Sequence, residues 1–91
     1  MPFQVEHNAA GSRFEARVEG HLCVADYHLA HGVMQMTHTY VPRPIEGRGI
    51  AAALIDAALA YARAKGLRVD PQCSYVRAYM RRHPDTLSLQ A

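Results

Sequence analysis

The sequence predicts an α/β fold with a mixed sheet: four antiparallel strands, a long helix, a parallel fifth strand and a short C-terminal helix. Three observations carry this. Residues 12–19 alternate, with Phe14, Ala16 and Val18 on one face and Arg13, Glu15, Arg17 and Glu19 on the other, which is the period of a half-buried strand. From Arg48 to Lys65 the period changes. Apolar residues fall at Ile50, Leu54, Ala57 and Tyr61, and again at Ala51, Ile55, Ala58 and Ala62, both at helical spacing. Between these regions the turns are short, so neighbouring strands should pair as a meander.

Taken in order, "FQVEHN" at 3–8 suits a short first strand and "AAG" at 9–11 a turn. The alternating strand 12–19 stops at Gly20, and "HLCVADYHL" at 21–29 reads as its partner. "HG" at 31–32 turns the chain into "VMQMTHTYV" at 33–41, rich in the Val, Thr and Tyr that strands favour. The helix 48–65 has Ala52, Asp56 and Arg63 on its wet side, Arg63 and Lys65 in its last turn, and Gly66 as its stop. "LRV" at 67–69 is a brief strand ended by Pro71. Reached by a right-handed crossover, it should lie parallel to strand 33–41. "SYVRAYMRR" at 74–82 is the second helix, with Ser74 as its N-cap. Tyr75, Val76, Tyr79 and Met80 should face inward and Arg77, Arg81 and Arg82 water. Pro84 ends this helix, and "DTLSLQA" reads as a loose tail.

The 91 residues form one domain by length, 1–91. A chain this short has a thin core and buries little more than ~60% of its unfolded surface. No apolar run is long enough to span a membrane. The first residues, "MPFQVEHNAA", lack the basic-then-apolar pattern of a secretory signal. Cys23 and Cys73 are therefore expected as free thiols, and the expected compartment is the cytoplasm. A monomer or weak homodimer is expected.

Charge is uneven. Residues 1–42 carry two arginines against four carboxylates, and residues 43–91 carry eight Lys/Arg against four carboxylates. The basic half favours an anionic partner, or is simply a solvated helix surface. Nucleic acid ranks well below, because no basic run exceeds "RR" and no aromatic residues interleave with it. The histidines and cysteines show no zinc-ligand spacing, so no metal is expected.

The segment "VPRPIEGRGIAAALIDAALAYARAKG" at 41–66 puts two glycines at a helix mouth. The first four N–H groups of a helix lack intrahelical partners and are usually met by Ser, Thr, Asp or Asn. None of these lies between Val41 and Ala51. The donors near Gly47, Arg48, Gly49 and Ile50 are therefore candidates to bind a phosphate or pyrophosphate, with Arg48 adding a charge-assisted contact. The alternative is that Gly47 merely caps the helix and Gly49 is incidental. Cys73 lies between a strand end and a helix N-terminus, with Arg77 one turn on, a setting that lowers a thiol pKa. It reads either as a nucleophile or as an inert packed cysteine. Cys23, in an alternating strand, reads as packing.

Residues 38–84 contain "HTYVP", "GRGIA", the alanine-rich helix ending "YARAKGL", and "P-x-CSYV" followed by "RRHP". As a set they resemble the small, minimal branch of the GNAT superfamily of acetyltransferases. The opening strands fit that branch more loosely. The resemblance implies a GNAT-like fold and acetyl-CoA (coenzyme A) as cofactor, with its pyrophosphate on the loop at 47–51, including Ala51, and its pantetheine arm along strand 33–41 where two strands splay apart. It implies an amine acceptor, small molecule or protein, and an active-site role for Cys73. On this reading His38 could accept a proton. Tyr75 or Tyr79 could protonate the departing thiolate, and the N–H of Tyr40 or Val41 could polarise a thioester carbonyl. One position departs from the superfamily pattern. Pro44 stands where Gln or Arg is usual, with Arg43 one residue off. A non-catalytic module that binds CoA or acyl-CoA, as a sensor or as a subunit for a partner protein, is the alternative function.

Overall fold

The computed structural model describes residues 3–91. Its elements are β1 (Glu6–Asn8), β2 (Arg13–Val18), β3 (His21–Ala30), β4 (Val33–Tyr40), a 3-10 turn at Arg43–Ile45, α1 (Ile50–Lys65), β5 (Arg68–Pro71), α2 (Ser74–Arg82) and a second 3-10 segment at Pro84–Leu89. The five strands form one sheet in sequence order, antiparallel from β1 to β4, with β4 and β5 parallel. The predicted mixed α/β architecture is thus the observed one.

Both helices pack on one face of the sheet. The alternating residues Phe14, Ala16 and Val18 meet Cys23, Ala25 and Tyr27, then Met34, Met36 and Val69, in one buried cluster. Ile50, Leu54, Ile55, Ala58, Leu59 and Ala62 from α1, with Val76 and Met80 from α2, cover it. Small alanines let α1 lie close to the strands while its leucines and isoleucines fill the grooves. Gly66 ends α1 at φ 68°, and the Leu67 amide reaches back to the Ala62 carbonyl at 2.8 Å, a left-handed stop that glycine makes at least cost.

Five expectations are corrected. The first strand is shorter than 3–8, because Phe3 is buried in the core and Val5 packs against it rather than either pairing in the ladder. β1 is tied down by His7, which stacks on Phe14 at 4.2 Å and whose Nε2 lies 2.5 Å from the Tyr27 hydroxyl. The long helix begins at Ile50, not Arg48, because Gly49 holds the left-handed φ of 77° at its N-cap. The N-cap of α2 is Cys73 rather than Ser74. Tyr75 is 58% exposed and does not face the core, whereas Val76 and Met80 do. Lastly, the tail is not loose. Thr86 and Leu89 are buried, the Thr86 hydroxyl donates to the His83 carbonyl at 2.7 Å, and Gln90 bridges to Val69.

The ladder slips once. Tyr27 pairs with Met36 but Asp26 pairs with His38, so Thr37 is an extra residue in β4. Such a bulge changes which face the following side chains take. Ahead of it Met34 and Met36 point into the core. After it Thr39, opposite the buried Ala25, takes the core face, and His38, opposite Asp26, takes the other. β5 pairs with β4 only from Val33 to Met36, so beyond Met36 that side of β4 has no strand partner.

No helix among the described residues is long and apolar enough to cross a membrane. Truncating the tail's anchor tests its docking. Leu89→Ala should cost about 2 kcal/mol, the low end for a buried leucine, read as a lower urea midpoint at unchanged slope. An unchanged midpoint would mean that the tail contributes nothing.

Candidate functional site

The site is built where β4 ends. Pro42 and Pro44 bend the chain into the 3-10 turn Arg43–Ile45, closed by the Ile45 amide to the Pro42 carbonyl at 3.1 Å and the Glu46 amide to the Arg43 carbonyl at 3.2 Å. Ile45, 1% exposed, pins this turn to the core. The chain then passes through Gly47 at φ 81°, Arg48, and Gly49 at φ 77° before α1 begins. A Cβ built on either glycine would meet nothing within 4 Å. Backbone conformation, not crowding by the protein, therefore requires glycine here, and the bare Cα atoms leave open space beside them.

Gly49 offers no side-chain capping bond, and the first turn of α1 contains no acidic residue. The amides of Ile50, Ala51 and Ala52 thus lack the intrahelical partners that later amides have. They carry the positive end of a sixteen-residue helix dipole.

A cleft of about 640 Å³ opens against this helix end. Tyr40, Val41 and Arg43 form one side; Gly47, Gly49, Ile50 and Ala51 form the floor. Tyr75 stands at its wall. These eight residues were singled out from the sequence, and the structure brings them together. Five lining residues were not foreseen: Thr39, Ile45, Glu46, Ala52 and Arg82. Arg82, expected to face water only, lies seven residues after Tyr75 and so on the same face of α2; that spacing was the available signal. Two arginines, Arg43 and Arg82, and one acidic residue, Glu46, are among the residues that line the cleft. Pro44 belongs to the turn that presents Arg43, so the one-residue offset from the superfamily pattern still delivers a cation to the site.

Arg48 is not among the lining residues. It makes an ion pair with Glu19, from the turn between β2 and β3.

Cys73 lies beside the cleft. Its amide donates to the Met36 carbonyl at 2.9 Å, and its Sγ lies 3.6 Å from the hydroxyl of Thr39, which itself lines the cleft. Burial pushes the Cys73 thiol up, but the Thr39 hydroxyl and the amides of Val76, Tyr75 and Thr39 together hold it below the ordinary thiol range. The Tyr75 and Val76 amides point toward the sulfur without closing a capping bond. Arg77 has no part in this. Its guanidinium donates to the Pro71 carbonyl at 3.0 Å and the Gln72 carbonyl at 2.7 Å. The cation expected beside the thiol is instead spent on the loop behind it. Cys23 is wholly buried, and burial pushes its thiol up.

His38 is not brought to Cys73. The bulge puts it on the sheet face shared with Asp26, its ring 6.5 Å from that of Tyr40. Tyr79 turns toward α1, its hydroxyl 3.4 Å from an Asp56 oxygen. Among the described residues no group of three His, Cys, Asp or Glu side chains is arranged to hold a metal ion.

Comparison with known proteins adds three findings. A family model described as GCN5-related N-acetyl-transferase matches residues 13–89. The chain is similar to Protein NATD1 of Gallus gallus, 30% identical over 86 residues that cover 91% of this chain and 78% of that protein. Protein NATD1 of Homo sapiens is 29% identical over 86 residues, 91% of this chain and 76% of its own length. The fold is similar to the NMR solution structure of a GCN5-like protein from Staphylococcus aureus. That match has a TM-score of 0.78 at 16% identity and covers 99% of this chain and 89% of the other.

The two thiols should differ in reactivity. With iodoacetamide, Cys73 should alkylate first, with a pH midpoint below the ~8.5 of a free cysteine, while Cys23 reacts only on unfolding. Peptide mapping by mass spectrometry reads both; equal rates would contradict the assigned environments.

Proposed function

We propose, from the premise that this chain belongs to the GCN5-related N-acetyltransferase family, that it transfers an acetyl group from acetyl-CoA to an amine. The observation that carries this reading is the uncapped start of α1, opening with two left-handed glycines onto a cleft with Arg43 and Arg82. Backbone donors at a helix N-terminus, flanked by guanidinium groups and free of first-turn acids, fit a diphosphate. The donor set therefore suits acetyl-CoA, which when bound supplies an acyl group activated as a thioester.

The chain's own residues divide the work. The amides of Ile50, Ala51 and Ala52 bind the anionic end, and Arg43 and Arg82 neutralise it. The stretch of β4 beyond Met36, without a strand partner on its β5 side, offers backbone groups to an extended arm, with Tyr40 and Val41 beside the cleft. Cys73, depressed in pKa and touching Thr39, is the nucleophile that the site offers for a two-step transfer. Tyr75, exposed at the cleft wall, is the hydroxyl available to return a proton. His38 is the group available to take a proton from an amine approaching the uncovered face of the sheet. The acceptor's chemistry is that of an uncharged amine at the moment of attack, so a base on that side has a defined task.

Calorimetry with CoA tests the cofactor reading. Arg82→Ala should weaken binding by about tenfold, the loss of one charge-assisted hydrogen bond. Gly49→Val should weaken it further by crowding the phosphates and straining the left-handed position. Unchanged affinity in both variants would remove the cleft from the argument. Mass spectrometry after incubation with acetyl-CoA should find an acetyl adduct on Cys73, absent in Cys73→Ala. Tight binding with neither adduct nor CoA release across a panel of amines would instead identify a binding module without turnover.

A further inference from the structure

Arg48 sits between two glycines that line the cleft, yet its guanidinium is tied outside it by a hydrogen-bonded ion pair with the Glu19 carboxylate. Glu19 comes from the two-residue turn between β2 and β3, where Glu19 has φ 50° and Gly20 φ 79°. Such turns are met most cheaply by Asn or Gly at the first position. A glutamate there has the reach to cross to the glycine loop, which those residues lack. Both side chains remain wet, 42% exposed for Arg48 and 61% for Glu19. An ion pair in that setting is weak and exchangeable. The hydrogen bond from Arg48, and then its charge, hold the Glu19 carboxyl below the usual carboxylate range, with His21 at the start of β3 the other group acting on it.

We propose that Glu19 is an internal competitor for Arg48: its carboxylate holds the guanidinium off the cleft, and the phosphates of the bound ligand displace it so that Arg48 changes partner. The inference rests on the reading above that the Gly47–Gly49 loop takes a phosphate-bearing ligand. The exchange is favourable because a diphosphate brings more charge and more acceptor oxygens than one carboxylate, and a guanidinium matches that geometry in a bidentate way. While paired, the Glu19 carboxylate cancels much of the Arg48 charge, so an arriving anion meets a weaker positive field at the loop. Glu19 is therefore a binding-determining residue that need not touch the ligand. It sets how much of the loop's positive charge is available, and so the affinity of the site.

The test is a double-mutant cycle read by calorimetry with CoA at low salt, using the whole chain. Glu19→Gln should tighten CoA binding about two- to fivefold, the equilibrium worth of an exposed ion pair. In an Arg48→Gln background the same substitution should change affinity by less than half that factor. The carboxyl resonance of Glu19, followed by NMR, should titrate at a higher pH in the CoA-saturated protein than in the free one. Weaker binding in Glu19→Gln would make the pair a brace and overturn the proposal. Equal tightening with and without Arg48 would reduce it to a field effect and also overturn it. An unmoved Glu19 titration on saturation would do the same. Should the unaltered chain fail to bind CoA at millimolar concentration, the site reading itself falls and takes the proposal with it. Binding with zero coupling sinks the competition alone.

Discussion

A helix that starts on a left-handed glycine has no side chain with which to satisfy its own first turn. That constraint, at Gly49, organises this molecule. Ile50 and Ile45, on either side of the loop, are 2% and 1% exposed, so the free amides are held still while they remain uncommitted. Donors fixed in advance cost no reorganisation when a charge arrives. The two prolines, the 3-10 turn, the end of β4 and the cleft-facing stripe of α2 all lie around this one helix end.

The bulge at Thr37 is the second organising feature, and it works through parity. One inserted residue sends Thr39 to the helix side, where it meets Cys73, and leaves His38 on the side of Asp26. Adjacent residues of a strand point to opposite faces of the sheet. With both helices packed on one face, a thiol and an imidazole close together along the chain's fold become groups on opposite sides of a thin wall. A reaction between two substrates entering from opposite sides has a use for such a wall. A single buried pocket containing both groups does not require one.

Much of this was legible in the residues. The period-2 alternation of β2, the helical spacing of α1, the Gly66 stop and the bounds of α2 follow from side-chain pattern and local backbone preference, and the structure agrees with them. The glycine pair was also legible, because a helix mouth without any Ser, Thr, Asp or Asn leaves an evident deficit. What escaped depends on contacts between distant segments. Nothing local distinguishes Thr37 as the extra residue of β4, since a bulge is a property of two strands and not of one. The ion pair of Arg48 escaped because its partner, Glu19, is twenty-nine residues away. Arg77 looked like the cation beside Cys73 because the Pro71 and Gln72 carbonyls that claim it emerge only when the loop is folded. Cys73 replaced Ser74 as N-cap because the Met36 carbonyl takes the Cys73 amide and so fixes where the helix can start. The tail read as loose because its order depends on a strand twenty-one or twenty-two residues earlier.

That tail also covers an edge of the sheet. Ala91 donates its amide to the Val69 carbonyl at 2.8 Å, Gln90 bridges alongside, and Arg68 reaches the Gln90 carbonyl at 2.7 Å. The outer rim of β5 would otherwise offer a row of bare amides and carbonyls, a template onto which another molecule's strand can zip. At the opposite rim β1 is only three residues long. The two outer rims, at β1 and β5, therefore offer little length for another strand to pair with, through residues that build no part of the cleft.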